Sequence, residues 1–202
     1  MAYKVLIIGG GVSGLSAAIT LSSGFKKNKT TDNILVIDNH RSDALKAKYY
    51  NAPGIDFGIN GEELLDKMKE QLLKYNYSEI IGTNVTNISL DNNTFIVQTN
   101  EREYKTEHLI LASGYKLFNI KLSDEISKNI NKVAYSYSDK DRICFEHKNN
   151  NIFGNLWVCG LLSGVISQFA TASASGVECA LHLLAKINNK FDFLHDKLED
   201  NF

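Results

Sequence analysis

The sequence predicts an α/β protein: a doubly wound, Rossmann-like domain with a mainly parallel sheet and a small antiparallel β-meander. Three observations predict it. Short apolar runs recur at residues 5–8, 34–37, 109–111 and 156–158, as strands buried on both faces require. Helical stretches, amphipathic or rich in small residues, alternate with them, which is the pattern of a parallel sheet with crossover helices. Ahead of the third run, short segments are separated by Asp91-Asn92-Asn93 and Asn100-Glu101, the punctuation of antiparallel hairpins.

Taken in order, residues 3–8 read as a buried strand and residues 13–21 as the first helix, ending near Gly24. Residues 26–33 form a polar loop and residues 34–38 a second buried strand, completing a βαβ unit whose crossover is right-handed. Asn51-Ala52-Pro53-Gly54 holds the one proline and marks a rigid loop. Residues 61–75 form an amphipathic helix with Leu64, Leu65, Met68 and Leu72 on its core stripe. Strands at 81–90, 94–99 and 102–106 make the meander, and residues 108–114 are a buried strand ending in small side chains. Residues 115–151 are expected to be a short irregular connection, 156–160 another buried strand and 161–167 a loop. A last helix rich in Ala and Ser runs from 168 to 187, and the polar tail 196–202 is expected to fray. No repeat or linker divides residues 1–202, so a single domain is expected.

The first strand runs into Gly9-x-Gly11-x-x-Gly14 with a helix directly behind it. Spacing of glycines alone says little; this strand–turn–helix setting says much more. Gly9 permits the tight turn, Gly11 lets the backbone approach a pyrophosphate, and Gly14 allows the helix to pack closely on the strand. The pyrophosphate then meets the N–H groups of the first helical turn, Val12 and Ser13, where the helix dipole favours negative charge. Asp38 ends the second strand 24 residues after Gly14, near the roughly 20-residue spacing of the acid that binds a ribose hydroxyl. Asn39 adjoins it, and Arg41 could meet a 2′-phosphate if the fingerprint held NAD(P) directly. A strand-end aspartate also caps turns, so both roles stay open for Asp38.

Composition narrows the remaining classes. In 202 residues, 44% hydrophobic and 22% charged, the formal net charge is -1, which offers no basic field for nucleic acid. No apolar run approaches a membrane span, and the N-terminus enters a strand at once, so neither membrane insertion nor a signal peptide is expected. Cys144, Cys159 and Cys179 form no Cys-x-x-Cys pair and no zinc-type cluster with His. They read as small buried hydrophobes in a reducing, cytoplasmic setting, and no metal site is expected. The histidines His40, His108, His147, His182 and His195 sit in no local catalytic spacing, so no catalytic residue is assigned.

A series of motifs resembles the FAD domain of thioredoxin reductases and related flavoprotein disulfide reductases. Gly9-Gly-Gly-Val-Ser-Gly14 and Asp38 match that family's pyrophosphate loop and second-strand acid. Asn51-Ala-Pro-Gly54 with Gly61-Glu-Glu-Leu64 resembles its Asn-x-Pro-Gly and Gly-x-Glu-Leu stretch, which implies that Asn51 lies near the flavin ring. Thr83-Asn-Val85 resembles the segment contacting the adenine, and Leu109-Ile-Leu-Ala112-Ser113-Gly114 stands for Ile-Ile-Ala-Thr-Gly. Trp157-Val-Cys-Gly160 stands for Phe-Ala-Ala-Gly, followed by Leu161 where the family has Asp. Gln168-Phe169-Ala-Thr171 resembles the stretch at the pyrimidine edge of the flavin. The resemblance spans nearly the whole chain and implies an FAD-binding oxidoreductase of homodimeric habit.

Two departures qualify it. The family inserts an NADPH domain, with its own glycine fingerprint and Cys-x-x-Cys, before the Gly-Asp strand; here residues 115–156 are too few and carry neither. The chain therefore resembles a solitary FAD domain without its own redox cysteine pair. Leu161 also forgoes a contact worth about 1–2 kcal/mol, while removing a negative charge from beside a diphosphate. The expectation is electron transfer from NAD(P)H, acting as a transient donor, or from a redox partner protein, through FAD to an acceptor. An NAD(P)-binding reductase and a non-catalytic flavin-binding module are the alternatives.

Overall fold

The computed structural model describes residues 2–114, 118–134, 142–191 and 194–195. The expected tail at 196–202 and parts of the 115–151 connection lie outside the described residues. In chain order the elements are β1 (Ala2–Ile8), α1 (Val12–Lys27), β2 (Ile34–Asp38), β3 (Lys48–Tyr49), β4 (Ile59–Asn60), α2 (Gly61–Leu73), β5 (Ser78–Gly82), β6 (Val85–Asp91) and β7 (Thr94–Thr99). They continue as β8 (Glu103–Leu111), β9 (Lys121–Leu122), α3 (Asp124–Asn129), β10 (Lys132–Ala134), β11 (Ile143–Phe145), β12 (Asn151–Phe153), β13 (Leu156–Val158) and α4 (Phe169–Asn188).

The main sheet runs β5-β2-β1-β8, all parallel, and then divides. The first half of β8 pairs antiparallel with β7, through Phe95↔Thr106 to Gln98↔Glu103, and β7 pairs with β6. Its second half pairs parallel with β13, through Leu156↔Leu109 to Val158↔Leu111. One strand thus serves both the meander and the parallel sheet.

Alternation sorts each apolar run between two cores. Val5 and Ile7 of β1, Ile34 and Val36 of β2, Ile110 of β8 and Trp157 of β13 face one side, where α1, α2 and α4 supply Leu15, Leu21, Leu65, Leu72, Leu183 and Leu184. Leu6, Ile8, Leu35, Ile37, Leu109, Leu111, Leu156 and Val158 face the other, against Ile88, Phe95, Val97 and Tyr104 of the meander and Ile126 of α3. With both faces covered, these runs leave no position for water and are apolar throughout for that reason. The second face is covered chiefly by the meander, with α3 as its short helix.

Four expectations are corrected. Residues 81–90 are not one strand: the chain breaks at Thr83-Asn84, so β5 pairs parallel with β2 (Asp38↔Gly82) while β6 enters the meander. Conversely, 102–106 and 108–114 form the single strand β8, since the same backbone is needed on both halves of the divided sheet. Helix α1 does not stop near Gly24 but reaches Lys27. A Cβ at Gly24 would lie 2.5 Å from Leu184 Cδ1, so this glycine is there for the α1–α4 crossing. Residues 161–167 open with a 3-10 turn, Gly160–Ser163. In the meander Asn92 and Asn93 take φ 47 and 66, the left-handed pair that a tight hairpin turn demands.

His108 lies in register with Val5 on the helical side of β8 and is only 3% exposed. Burial pushes its pKa down to about 4, against the opposing pull of Glu107, whose Oε1 is 3.2 Å from Nε2. The unfolded chain, with an ordinary value near 6.5, therefore binds the extra proton first as pH falls. Stability from this group is complete above about pH 6.5 and is lost progressively down to about pH 4, by roughly 3 kcal/mol. We expect His108→Met to show a shallower loss of unfolding free energy than wild type between pH 6.5 and 4.5 in urea titrations. Parallel pH dependences would refute it.

Candidate functional site

The register of the parallel strands brings four chain ends to one level. Ile8 pairs with Ile37 and with Leu111, and Leu111 with Val158, so Gly9, Asp38, Ala112 and Cys159 all emerge at the carboxyl edge of the sheet. That edge is where open α/β sheets bind ligands. Gly9 turns sharply there with φ 117, and a Cβ on it would strike the Ala112 carbonyl oxygen at 2.4 Å. Gly11 is the N-cap of α1, and Val12, Ser13 and Gly14 follow with first-turn amides that lack intrahelical acceptors. A Cβ on Gly14 would lie 1.9 Å from the Gly9 carbonyl oxygen, so α1 packs directly on the turn. A Cβ on Gly11 meets, within 4 Å, only the Ser42 side chain, which leaves its outer face open to a ligand. Gly9 and Gly14 thus do the turn and packing jobs expected of them.

Asp38 is 5% exposed and fills one of the two roles left open for it, that of a turn cap. Its Oδ1 accepts from the Gly10 amide at 3.3 Å and the His40 amide at 3.2 Å, capping the turn and tying it to the glycine loop. Its Oδ2 is 3.5 Å from His40 Nδ1 and remains an acceptor for a hydroxyl. A Cβ at Gly10 would stand 2.7 Å from the Asp38 Cβ, a requirement that sequence reasoning missed although the Gly9-Gly10-Gly11 run displays it. Asn39 donates to Asn84 Oδ1 at 3.2 Å, linking the β2 end to the start of β6 and so to Val85. Arg41 is exposed beyond them.

On the other flank Ala112 is buried, Ser113 exposed, and Gly114 takes φ 75. Gly160 takes φ 69, and a Cβ on it would strike Ser13 Oγ at 2.3 Å, so the β13 end abuts the first turn of α1. Leu161 is half-buried in the 3-10 turn. Gln168 is the exposed N-cap of α4 and Phe169 its first residue. The Phe169 ring meets Tyr49 edge-on at 6.0 Å, which brings β3 to this helix start. Asn51, two residues past Tyr49, is exposed on the loop between β3 and β4. The glycine loop, Asp38, Ala112 and Gly160 thus converge through direct contacts, whereas Asn51 lies on a separate loop, two residues from the Tyr49 that meets Phe169. Tyr49, whose ionisation burial disfavours, gave no sequence signal beyond its aromaticity.

The thiols of Cys144, Cys159 and Cys179 are free and buried. Burial, with Cys159 alongside, raises the Cys179 pKa well above its ordinary value, and burial with Glu146 raises that of Cys144. Both remain protonated at neutral pH, the unreactive form of a cysteine.

The family profile described as pyridine nucleotide-disulphide oxidoreductase matches residues 3–197. The chain belongs to this family. A ferredoxin–NADP reductase of Pelagibacter ubique (strain HTCC1062) is 30% identical over 152 residues, covering 74% of this chain and 45% of that protein. NADPH-dependent thioredoxin reductase 3 of Arabidopsis thaliana is 28% identical over 129 residues, covering 60% of this chain and 23% of that protein. The chain thus spans about half or less of the length of these curated relatives. The crystal structure of an oxidoreductase from Agrobacterium tumefaciens matches with a TM-score of 0.76 at 13% identity, over 94% of this chain and 99% of that chain, which establishes a shared fold.

This pyridine nucleotide-disulphide oxidoreductase domain holds two kinds of glycine. Gly14→Ala drives a methyl group into backbone, so about 1–3 kcal/mol of stability should be lost in urea unfolding. Gly11→Ala need displace only the Ser42 hydroxyl and should cost under about 1 kcal/mol. Equal losses in the two variants would contradict this division of labour.

Proposed function

We propose that the chain is a single FAD-binding domain that passes electrons from an external donor, through FAD, to an acceptor. The convergence of the glycine loop, Asp38, Ala112 and Gly160 at one sheet edge carries this reading, and the motif order along the chain supports FAD over NAD(P) in the fingerprint. The residues present fit that cofactor: an open helix start at Gly11, Val12 and Ser13 for the pyrophosphate, and a buried carboxylate with a spare acceptor oxygen for the ribose. Asn39, Arg41 and Val85 lie on the adenosine side. Ser113, Gly114, Leu161, Asn51, Gln168 and Phe169 lie on the flavin side.

Bound FAD supplies the redox chemistry itself, and the protein supplies position and electrostatics. The N-terminus of α4 at Phe169 would favour negative charge on a ring bound beside it. The Phe169–Tyr49 pair places two aromatic rings at that helix start. No side chain here takes a proton-transfer or nucleophilic role in this reading. NAD(P)H, arriving from solution, or a redox partner protein acts as donor, because the chain between Gly114 and Leu156 holds no second glycine fingerprint. Three free, buried thiols suit a reducing cytoplasm, and we infer an isologous homodimer as the working form.

The purified protein should carry or take up FAD, read from its visible spectrum and the cofactor released on denaturation. Gly11→Ala places a methyl group in the path of the pyrophosphate, and Asp38→Ala deletes the ribose acceptor. Each should weaken FAD binding by about 1–3 kcal/mol, measured by fluorescence titration. A colourless protein that ignores FAD but binds NAD(P)H would transfer the fingerprint to the nicotinamide cofactor.

Anaerobic stopped-flow of the FAD form against NADH or NADPH should show slow reduction rising linearly with donor concentration, because diffusional delivery forgoes the advantage of a positioned donor. Replacing Cys144, Cys159 and Cys179 together by Ala should leave that rate nearly unchanged in protein that still folds. Fast, saturable reduction at micromolar nicotinamide would demonstrate a dedicated site, and no reduction by any donor would favour a non-catalytic module.

A further inference from the structure

Behind the glycine loop lies a set of hydroxyl groups that the motif series does not include. Gly160 donates its amide hydrogen to Ser175 Oγ at 3.0 Å. Ser163 Oγ donates to the Gly160 carbonyl at 2.8 Å. The two serine oxygens are 3.0 Å apart. The proton positions follow by elimination: the single Ser163 proton is committed to the Gly160 carbonyl, so in the serine–serine contact Ser175 is the donor. The result is a closed, one-way ring, from the Gly160 amide to Ser175, on to Ser163 and back to the Gly160 carbonyl. Each hydroxyl both gives and receives, the condition under which hydrogen bonds reinforce one another.

The ring fixes both backbone groups of a residue held at φ 69, and that residue presses on Ser13 Oγ. Ser175 is 2% exposed. Its helical neighbour Gly176 sits where a Cβ would be 2.1 Å from the Ser13 carbonyl oxygen. The same helix segment therefore holds Gly160 from behind and backs the first turn of α1. We propose that Ser163 and Ser175 are positioning residues for the cofactor: they keep the Gly160–Leu161 turn preformed against the Gly11–Ser13 helix start. This rests on the FAD reading above, because it concerns how that site is held.

The test compares Ser163→Ala, Ser175→Ala and the double variant with wild type, reading the FAD dissociation constant by fluorescence titration and thermal stability of the apoprotein by circular dichroism. Ser173→Ala is the control. It lies on the same helix and bonds Ser16 Oγ at 2.9 Å, so it loosens the α1–α4 contact without touching the ring. We expect each ring variant to weaken FAD binding by at least tenfold, Ser173→Ala by less than twofold, and the double variant to be no worse than the poorer single, since opening the ring once ends its cooperativity. Ring variants that bind FAD like wild type overturn the proposal. So do additive losses in the double variant, or a Ser173→Ala variant that loses FAD equally. Wild-type protein that takes up no FAD refutes the functional reading instead, so the two failures are distinguishable.

Discussion

The contact between the Gly9 carbonyl and Gly14 is the constraint on which the site depends. With no side chain at Gly14, α1 lies directly on the turn that leaves β1. That seating aims the first-turn amides past the edge of the sheet rather than into it. A helix set even one methyl group further out would carry Ser13 away from Gly160 and open the joint between α1 and the β13 end. Backbone contacts of this kind do not adapt as side-chain packing does, because there is no rotamer to change. The site's geometry is therefore inherited from the sheet.

The rest of the edge is arranged around that fixed point. Asp38 spends one oxygen on the amides of Gly10 and His40, so its negative charge is already partly neutralised before any ligand arrives. On the opposite flank the Gly160 turn is held by neutral hydroxyls, and Leu161 adds no charge. On the proposed reading, a diphosphate between these flanks would meet helix amides on one side and little opposing charge on the other. This partition of charge is the electrostatic counterpart of the strand register.

Much of this was legible in the sequence, for reasons tied to particular residues. The glycine loop and the apolar runs were readable because their causes are local: a φ of 117 at Gly9 admits little else, and runs buried on both faces are apolar, with Asp38 and His108 standing only at their ends. The errors fell where long-range pairing decides. Gly82-Thr83-Asn84 has the composition of a turn, but that the chain there leaves the parallel sheet for the meander is decided by distant partners, β2 on one side and β7 on the other. Gly24 looked like a helix end because glycine commonly is one; its purpose is Leu184, brought against it from α4, far along the chain. Ser163 and Ser175 were invisible for a related cause. Serines in a run of small residues carry no pattern, and their roles come from meeting each other across the turn.

The dividing strand β8 has a consequence for the order in which this protein can be made. β1 lies between β2 and β8, and Val5 pairs with both Ile34 and His108. During synthesis the first strand gains its near neighbour early but waits about seventy further residues for its other, at roughly 5–20 residues per second. β13, which completes the parallel edge, arrives later still. Over that interval the nascent chain presents an apolar strand with one unpaired side, open to wrong partners. The strand that joins the meander to the parallel sheet also makes closure of the sheet a late event, and leaves β1 open on one side until β8 emerges.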